Sequence, residues 1–236
     1  MIICTVCGQQ NDELAVLCFS CRSYLQSKVD NLNLFETIWL LIENPKTAFK
    51  KIILSQHKNY VYLLSSMFGV SFAFGLFWLG NLGPQFTNLL TLIGSAALFG
   101  IPFGLIFIVA LSLFTVRVAR FFGGKISVRN TMAVVTYASV PIVLSLVFIF
   151  PLEIAIFGID FFGKNPSPLV IKPEAYIALL VFDGLAILWT FLLLFRGLMV
   201  LTGFPKGKSM ILTLVAGLMP GAFSLGISLF SNTDVH

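Results

Sequence analysis

Charge is scarce in this chain: only 11% of its 236 residues are Asp, Glu, Lys or Arg, and 58% are hydrophobic. A soluble domain carries about a quarter charged residues and roughly 45–50% apolar ones, so an ordinary water-exposed globule is excluded. Histidine is limited to His57 and His236, so no credible Ser/His/Asp set exists. No Gly-rich nucleotide motif occurs either, and the chain is not expected to be an enzyme. No basic stretch followed by an unbroken apolar run opens the sequence, so a secretory signal peptide is not expected. The amino terminus should then stay on the side where it is made. Thiols are absent after Cys21, although the chain has 4 cysteines.

Apolar length takes the place of charge. The mean hydropathy is +0.96, and 25 Phe residues contribute to it, which fits a chain whose solvent is lipid. Crossing about 30 Å of hydrocarbon takes roughly 20 apolar residues in a helix. Five stretches meet that length: Tyr60–Leu79, Leu89–Val116, Thr131–Phe150, Ala175–Thr202 and Met210–Phe230. The second and fourth exceed the minimum, which implies tilt or extension beyond the lipid. An open strand edge cannot be satisfied in lipid, so these are read as helices.

The connections set the orientation. Lys46, Lys50, Lys51 and Lys58 precede the first span, Arg117, Arg120, Lys125 and Arg129 join the second to the third, and Lys206 and Lys208 join the fourth to the fifth. The alternate connections are poor in Lys and Arg, and the tail SNTDVH has neither. Basic and non-basic ends alternate through all the crossings, as the positive-inside bias requires. The amino terminus is expected in the cytoplasm and the carboxyl terminus outside.

Ahead of the first span, Leu34, Ile38, Leu41 and Ile42 share one helical face, Asn44-Pro45 breaks the run, and Phe49, Ile52 and Ile53 continue it. Each half is too short to cross, so an interfacial amphipathic pair is expected, with Trp39 at headgroup level. A helix packed on the inner face of the bundle is the alternative.

With the amino terminus inside, Cys4, Cys7, Cys18 and Cys21 face a reducing compartment, where disulfides are disfavoured. Two Cys-x-x-Cys pairs then suggest a closed tetrahedral thiolate site for structural Zn²⁺. Iron suits four thiolates equally. Gly8 follows the first pair, where a knuckle commonly wants a residue without Cβ, whereas Arg22 follows the second. A thioredoxin-like redox pair would need a βαβ context that so short a segment cannot supply. So small a piece has little core, and metal would contribute much of its folding free energy.

CTVCGQQNDELAVLCFSCRSYL resembles the short zinc ribbon that often heads bacterial membrane proteins. Three further stretches carry a second likeness: NPKTAFKKI before the first span, ARFFGGKISVRNTMAVVTYASVP into the third, and LWTFLLLFRGLMVLTGFPKGKS into the fifth. Together they resemble the Yip family, five-span proteins whose eukaryotic members are named for interacting with Ypt/Rab-type small GTPases. The resemblance implies membrane organisation or trafficking-type work in a bacterial cytoplasmic membrane.

Other residues offer chemistry. Asp183 lies inside the fourth span, where an ionisable side chain costs a few kcal/mol and usually faces a partner or a water-filled cavity. It can form a proton or cation site, or pack between helices by hydrogen bonding. Arg196 sits about 220° away around the same helix and cannot pair with it. Glu153 and Asp160 flank the outer end of the third span and are expected to be solvated, with cation capture as the alternative. Gly123-Gly124 reads as a turn. Gly100-x-x-x-Gly104 and Gly217-x-x-x-Gly221 allow close helix packing, within the bundle or with a second copy in a homo-oligomer. Arg22 and Lys28 are too few basic groups for the ribbon to favour nucleic acid.

The expected protein is therefore all-α and membrane-embedded, with five transmembrane helices, a small β-hairpin zinc ribbon and an interfacial amphipathic segment. Its divisions are ribbon over 1–27, linker and amphipathic helices over 28–58, and bundle over 59–231. It is expected to be a scaffold or adaptor in the lipid bilayer that meets a cytoplasmic protein partner through the ribbon. The alternative is a small transporter or channel using Asp183.

Overall fold

The computed structural model describes residues 1–12, 14–25 and 31–233, with side chains described only as far as Gly221 within the last helix. Glu13, Lys28, Asp30 and the outer side chains of the expected fifth span therefore lie outside the described residues.

The amino-terminal segment is a minimal hairpin. Strand β1 (Ile2–Ile3) pairs antiparallel with β2 (Gln10–Asn11), Ile2 opposite Asn11 and Ile3 opposite Gln10. A single bridge between Leu17 and Tyr24 closes the second half.

Helices α1 (Leu34–Glu43) and α2 (Pro45–Leu54) follow. Asn33 caps the first by accepting from the Glu36 amide, and Asn44 ends it while capping the second through the Thr47 amide. Short polar side chains satisfy the otherwise orphaned amides of a first turn, and Pro45 sits where no amide is needed. The two helices differ in what they bury. Ala48, Phe49 and Ile52 of α2 are wholly enclosed against the bundle. Helix α1 buries Leu41 but leaves Phe35 83% and Trp39 63% exposed. The α2 face, and Leu34, Ile38 and Leu41 of α1, thus follow the inner-packing alternative, whereas Phe35 and Trp39 stand exposed on another face of α1.

Among the described residues, four segments are long and apolar enough to cross a membrane: Val61–Leu79, Leu89–Phe121, Val128–Phe162 and Pro173–Thr202. The first two are single helices, α3 (Val61–Leu79) and α4 (Leu89–Phe121). At 33 residues, α4 is roughly 50 Å long and extends past the hydrocarbon. The third is broken into α5 (Val128–Ala138), α6 (Val140–Phe148), α7 (Phe150–Phe157) and a 3₁₀ turn over Gly158–Phe162. The breaks precede Pro141 and Pro151, whose rings carry no amide and crowd the carbonyl one turn back. A short α8 (Pro168–Ile171) leads into α9 (Pro173–Thr202). Where the fifth span is expected, α10 (Lys206–Thr233) runs as one 28-residue helix with Pro220 inside it.

Helices α3 and α4 meet backbone to backbone. A Cβ added at Gly69 would stand 2.0 Å from the Gly100 carbonyl oxygen, and one at Gly104 would stand 2.2 Å from that of Ser65. Glycine is therefore required at these positions, and the Gly100-x-x-x-Gly104 face is filled inside the chain. Around it, Phe72 stacks on Phe103 and Phe107 at 5.3 and 5.7 Å.

The two ends of the bundle differ. At one, ribbon residues Gln9–Asn11 and Leu14 line a polar cavity of about 1240 Å³ with Lys46, Lys50, Lys58, Lys125 and Arg129. The basic connection before α3 and the one between α4 and α5 thus meet the ribbon, as does the start of the α9–α10 turn at Gly203 and Phe204. The other end is apolar and aromatic: the 3₁₀ turn at Gly83–Gln85 packs on the turn holding Phe161 and Phe162.

Candidate functional site

The ribbon is built from two turns with the same backbone hydrogen-bond pattern. In the first, the Cys4 amide donates to Gln9 O at 2.9 Å and the Gly8 amide donates to Cys4 O at 2.9 Å. In the second, the Cys18 amide donates to Ser23 O at 2.9 Å and the Arg22 amide donates to Cys18 O at 3.0 Å. The residue after each second cysteine is left-handed: Gly8 at φ 72° and Arg22 at φ 55°. Arg22 therefore adopts the conformation that glycine takes in the first turn, at a steric cost to its Cβ.

These turns bring the four sulfurs together. Cys4 and Cys21 are 3.6 Å apart and Cys7 and Cys18 are 3.5 Å apart. All four sulfurs lie within 4.8 Å of one another and all are free thiols. Zn–S bonds of about 2.3 Å place the corners of a tetrahedron roughly 3.8 Å apart, so the donor set fits a four-thiolate metal. Cys4, Cys7, Cys18 and Cys21 would hold the ion, which would cross-link the two turns.

Two polar residues that the cysteine spacing did not single out support the cluster. Ser23 Oγ lies 3.1 Å from Cys4 Sγ and 3.0 Å from Cys21 Sγ. Asn11 is buried; its amide nitrogen donates to Gln9 O at 2.8 Å and to Cys18 Sγ at 3.6 Å, while its oxygen accepts from the Phe19 amide at 2.8 Å. It thus joins β2 to the second turn. The Ser23 hydroxyl, then the backbone amides of Cys7 and Val6, draw the Cys4 thiol down to about 6. The Cys21 amide does the same first for Cys18. Donors aimed at sulfur favour the thiolate, the form that binds metal, at Cys4 and Cys18. Cys7, despite the Gln9 amide, is instead pushed up to about 12 by Cys21, burial and Cys18.

The ribbon's outer surface is unexpectedly apolar. Phe19 is 93% exposed, Tyr24 77% and Val6 72%, and the first and last of these project from the two cysteine turns.

The second site lies inside the bundle. Asp183 of α9 accepts a hydrogen bond from the Ser145 hydroxyl of α6. Glu153 of α7 interacts with the same carboxyl group and is only 4% exposed. Glu153 is therefore buried against Asp183, not solvated as its place after Pro151 had suggested. The bend at Pro151 turns it inward. Asp160 does not join them, and Arg196 is exposed with no ion pair to Asp183 among the described residues. Gly123, at φ 85°, and Gly124, packed on the Phe204 ring, form a turn.

The Yip1 domain family matches residues 39–228, which takes in α2, every membrane-length helix and most of α10. No curated protein and no solved structure matches the chain. The chain belongs to the Yip1 domain family.

Proposed function

We propose that this Yip1-family chain is a non-catalytic scaffold of the bacterial cytoplasmic membrane whose zinc ribbon presents a docking surface to a cytoplasmic protein, in membrane organisation or trafficking-type work. In this reading α10 is the fifth crossing, the amino terminus is cytoplasmic and the carboxyl terminus lies outside. The divisions are ribbon (1–27), linker with amphipathic helices (28–58) and bundle (59–231). Helix α1 lies in the headgroup layer with Trp39, and structural Zn²⁺ occupies the four thiolates. Gathering of the basic connections beside the ribbon supports this orientation.

The observation that carries the reading is the exposure of Val6, Phe19 and Tyr24 on a metal-braced surface. Apolar side chains held out in water on a rigid turn mark an interaction site. Affinity purification of the full chain from native membranes, intact against Val6→Asp and Phe19→Asp, tests it. A partner retained by the intact chain and lost from both variants supports docking. An unchanged set of co-purifying proteins contradicts it.

A second reading, a small transporter or channel, is favoured by the buried Glu153 carboxyl group beside the half-buried Asp183. It requires that Asp183→Asn abolish a proton- or cation-dependent flux in reconstituted vesicles, and the scaffold reading requires that no such flux exist.

A further inference from the structure

Glu153 and Asp183 border a cavity of about 600 Å³, within the range of sites that enclose a small organic molecule. Its walls are mainly apolar and aromatic, with Phe74, Phe150, Phe161 and Ile187 among them. The two acids are the only titratable groups lining it among the described residues. Two polar atoms on this cavity lack a partner: Glu153 Oε1 and Thr190 Oγ1 are buried and make no hydrogen bond. Thr190 lies on the Asp183 face of α9, about 10 Å further along the axis.

Adjacent carboxyl groups in an apolar surround either share a proton or are both ionised against a positive group, and none of the described lining residues supplies that positive group. Ca²⁺ takes six to eight oxygen ligands, more than this corner offers. We propose that the Glu153–Asp183 pair binds the primary ammonium head of an amphiphilic amine whose apolar body fills the cavity. The ammonium donates to Glu153 Oε1 and to the Asp183 carboxyl, and the nearby rings favour a cation over their faces. The ligand is either a lipid with a primary-amine headgroup or a free alkylamine. The inference is independent of the ribbon's role and of transport, because it is read as binding.

The full chain in phosphatidylglycerol nanodiscs, titrated with n-octylamine and followed by the fluorescence of Trp78, which also lines the cavity, provides the test. Octylamine is expected to bind saturably, and n-octanol at least tenfold more weakly. Glu153→Gln and Asp183→Asn should each weaken octylamine at least tenfold. A Cβ at Gly184 meets nothing within 4 Å, so Gly184→Leu fits the helix, keeps both acids and should block binding by occupying the space. Should the acid variants not assemble, this variant decides. Equal binding of octanol, or octylamine binding that survives Gly184→Leu or either acid variant, overturns the site. Adding phosphatidylethanolamine separates the sources: a tenfold weaker apparent affinity identifies the lipid as occupant, and an unchanged one identifies a free amine.

Discussion

Arg22 stands at φ 55° in the second metal turn, in the place that Gly8 fills in the first. A left-handed backbone costs a residue with Cβ about 1–2 kcal/mol, part of which Gly would return through its looser unfolded state. Arg22→Gly should therefore stabilise the ribbon by about 0.5–1 kcal/mol, read as slower loss of metal to a chelator. Gly8→Val should speed that loss, since a β-branched side chain suits this region least. Lys58 offers a second measurement. Its ammonium donates to Ile53 O at 2.8 Å and also to Ile52 O, closing the end of α2. Burial, then the Arg129 charge, lower it from 10.5 to about 8. The folded chain then binds fewer protons than the unfolded chain between these values, so stability rises with pH across that window. Below about pH 8 the burial penalty is fully present. Thermal unfolding of the detergent-solubilised protein should show this rise, and Lys58→Met should flatten it. That the four cysteines gather was legible from spacing, because two Cys-x-x-Cys turns bring their sulfurs within 4.8 Å of one another. Asn11 and Ser23 were not, since a hydrogen bond to sulfur leaves no mark in the sequence.

The clearest constraint among the elements is the contact of α3 with α4. Gly69, Gly100 and Gly104 bring the backbones so near that a methyl group would fall within 2.0–2.6 Å of backbone atoms of the facing helix. Overpacking of this kind costs about 1–3 kcal/mol or more, so Gly104→Ala should lower the unfolding midpoint sharply. Gly94→Ala, in the same helix with nothing within 4 Å of the added carbon, should be neutral or stabilising by about 1 kcal/mol. Equal effects would contradict the packing. The spacing of Gly100 and Gly104 signalled a close approach, but only the fold identified α3 as the neighbour. The apolar lengths of the first, second and fourth spans were read to within a few residues at most ends. The third was read short, because helix resumes beyond the break at Pro151, through α7 and the 3₁₀ turn to Phe162. The same bend concealed the role of Glu153. Sequence position placed it at an outer rim, and the turn of α7 carries it onto Asp183.

As a whole, the molecule divides its work between two solvents. Within lipid, a Yip1-family bundle is held by glycine contacts and stacked Phe rings. At its basic end sits a ribbon whose described residues form two short strands and no apolar core to match the bundle's. Its folding therefore depends on what holds the four sulfurs, and the exposed Val6 and Phe19 keep their positions only while those turns persist. If a metal holds them, its removal should cost the exposed turns their shape while leaving the bundle helical, because α3 packs on α4 and α9 packs on α5 and α6. Cys4→Ser with Cys7→Ser should accordingly lose any ribbon-bound partner with little change in helical circular dichroism. The most direct test is elemental analysis of the full chain purified without added metal. One zinc or iron per chain, absent from the Cys4→Ser, Cys7→Ser variant that still folds in the membrane, is the predicted result. A metal-free native chain with an intact, protease-resistant ribbon would contradict it.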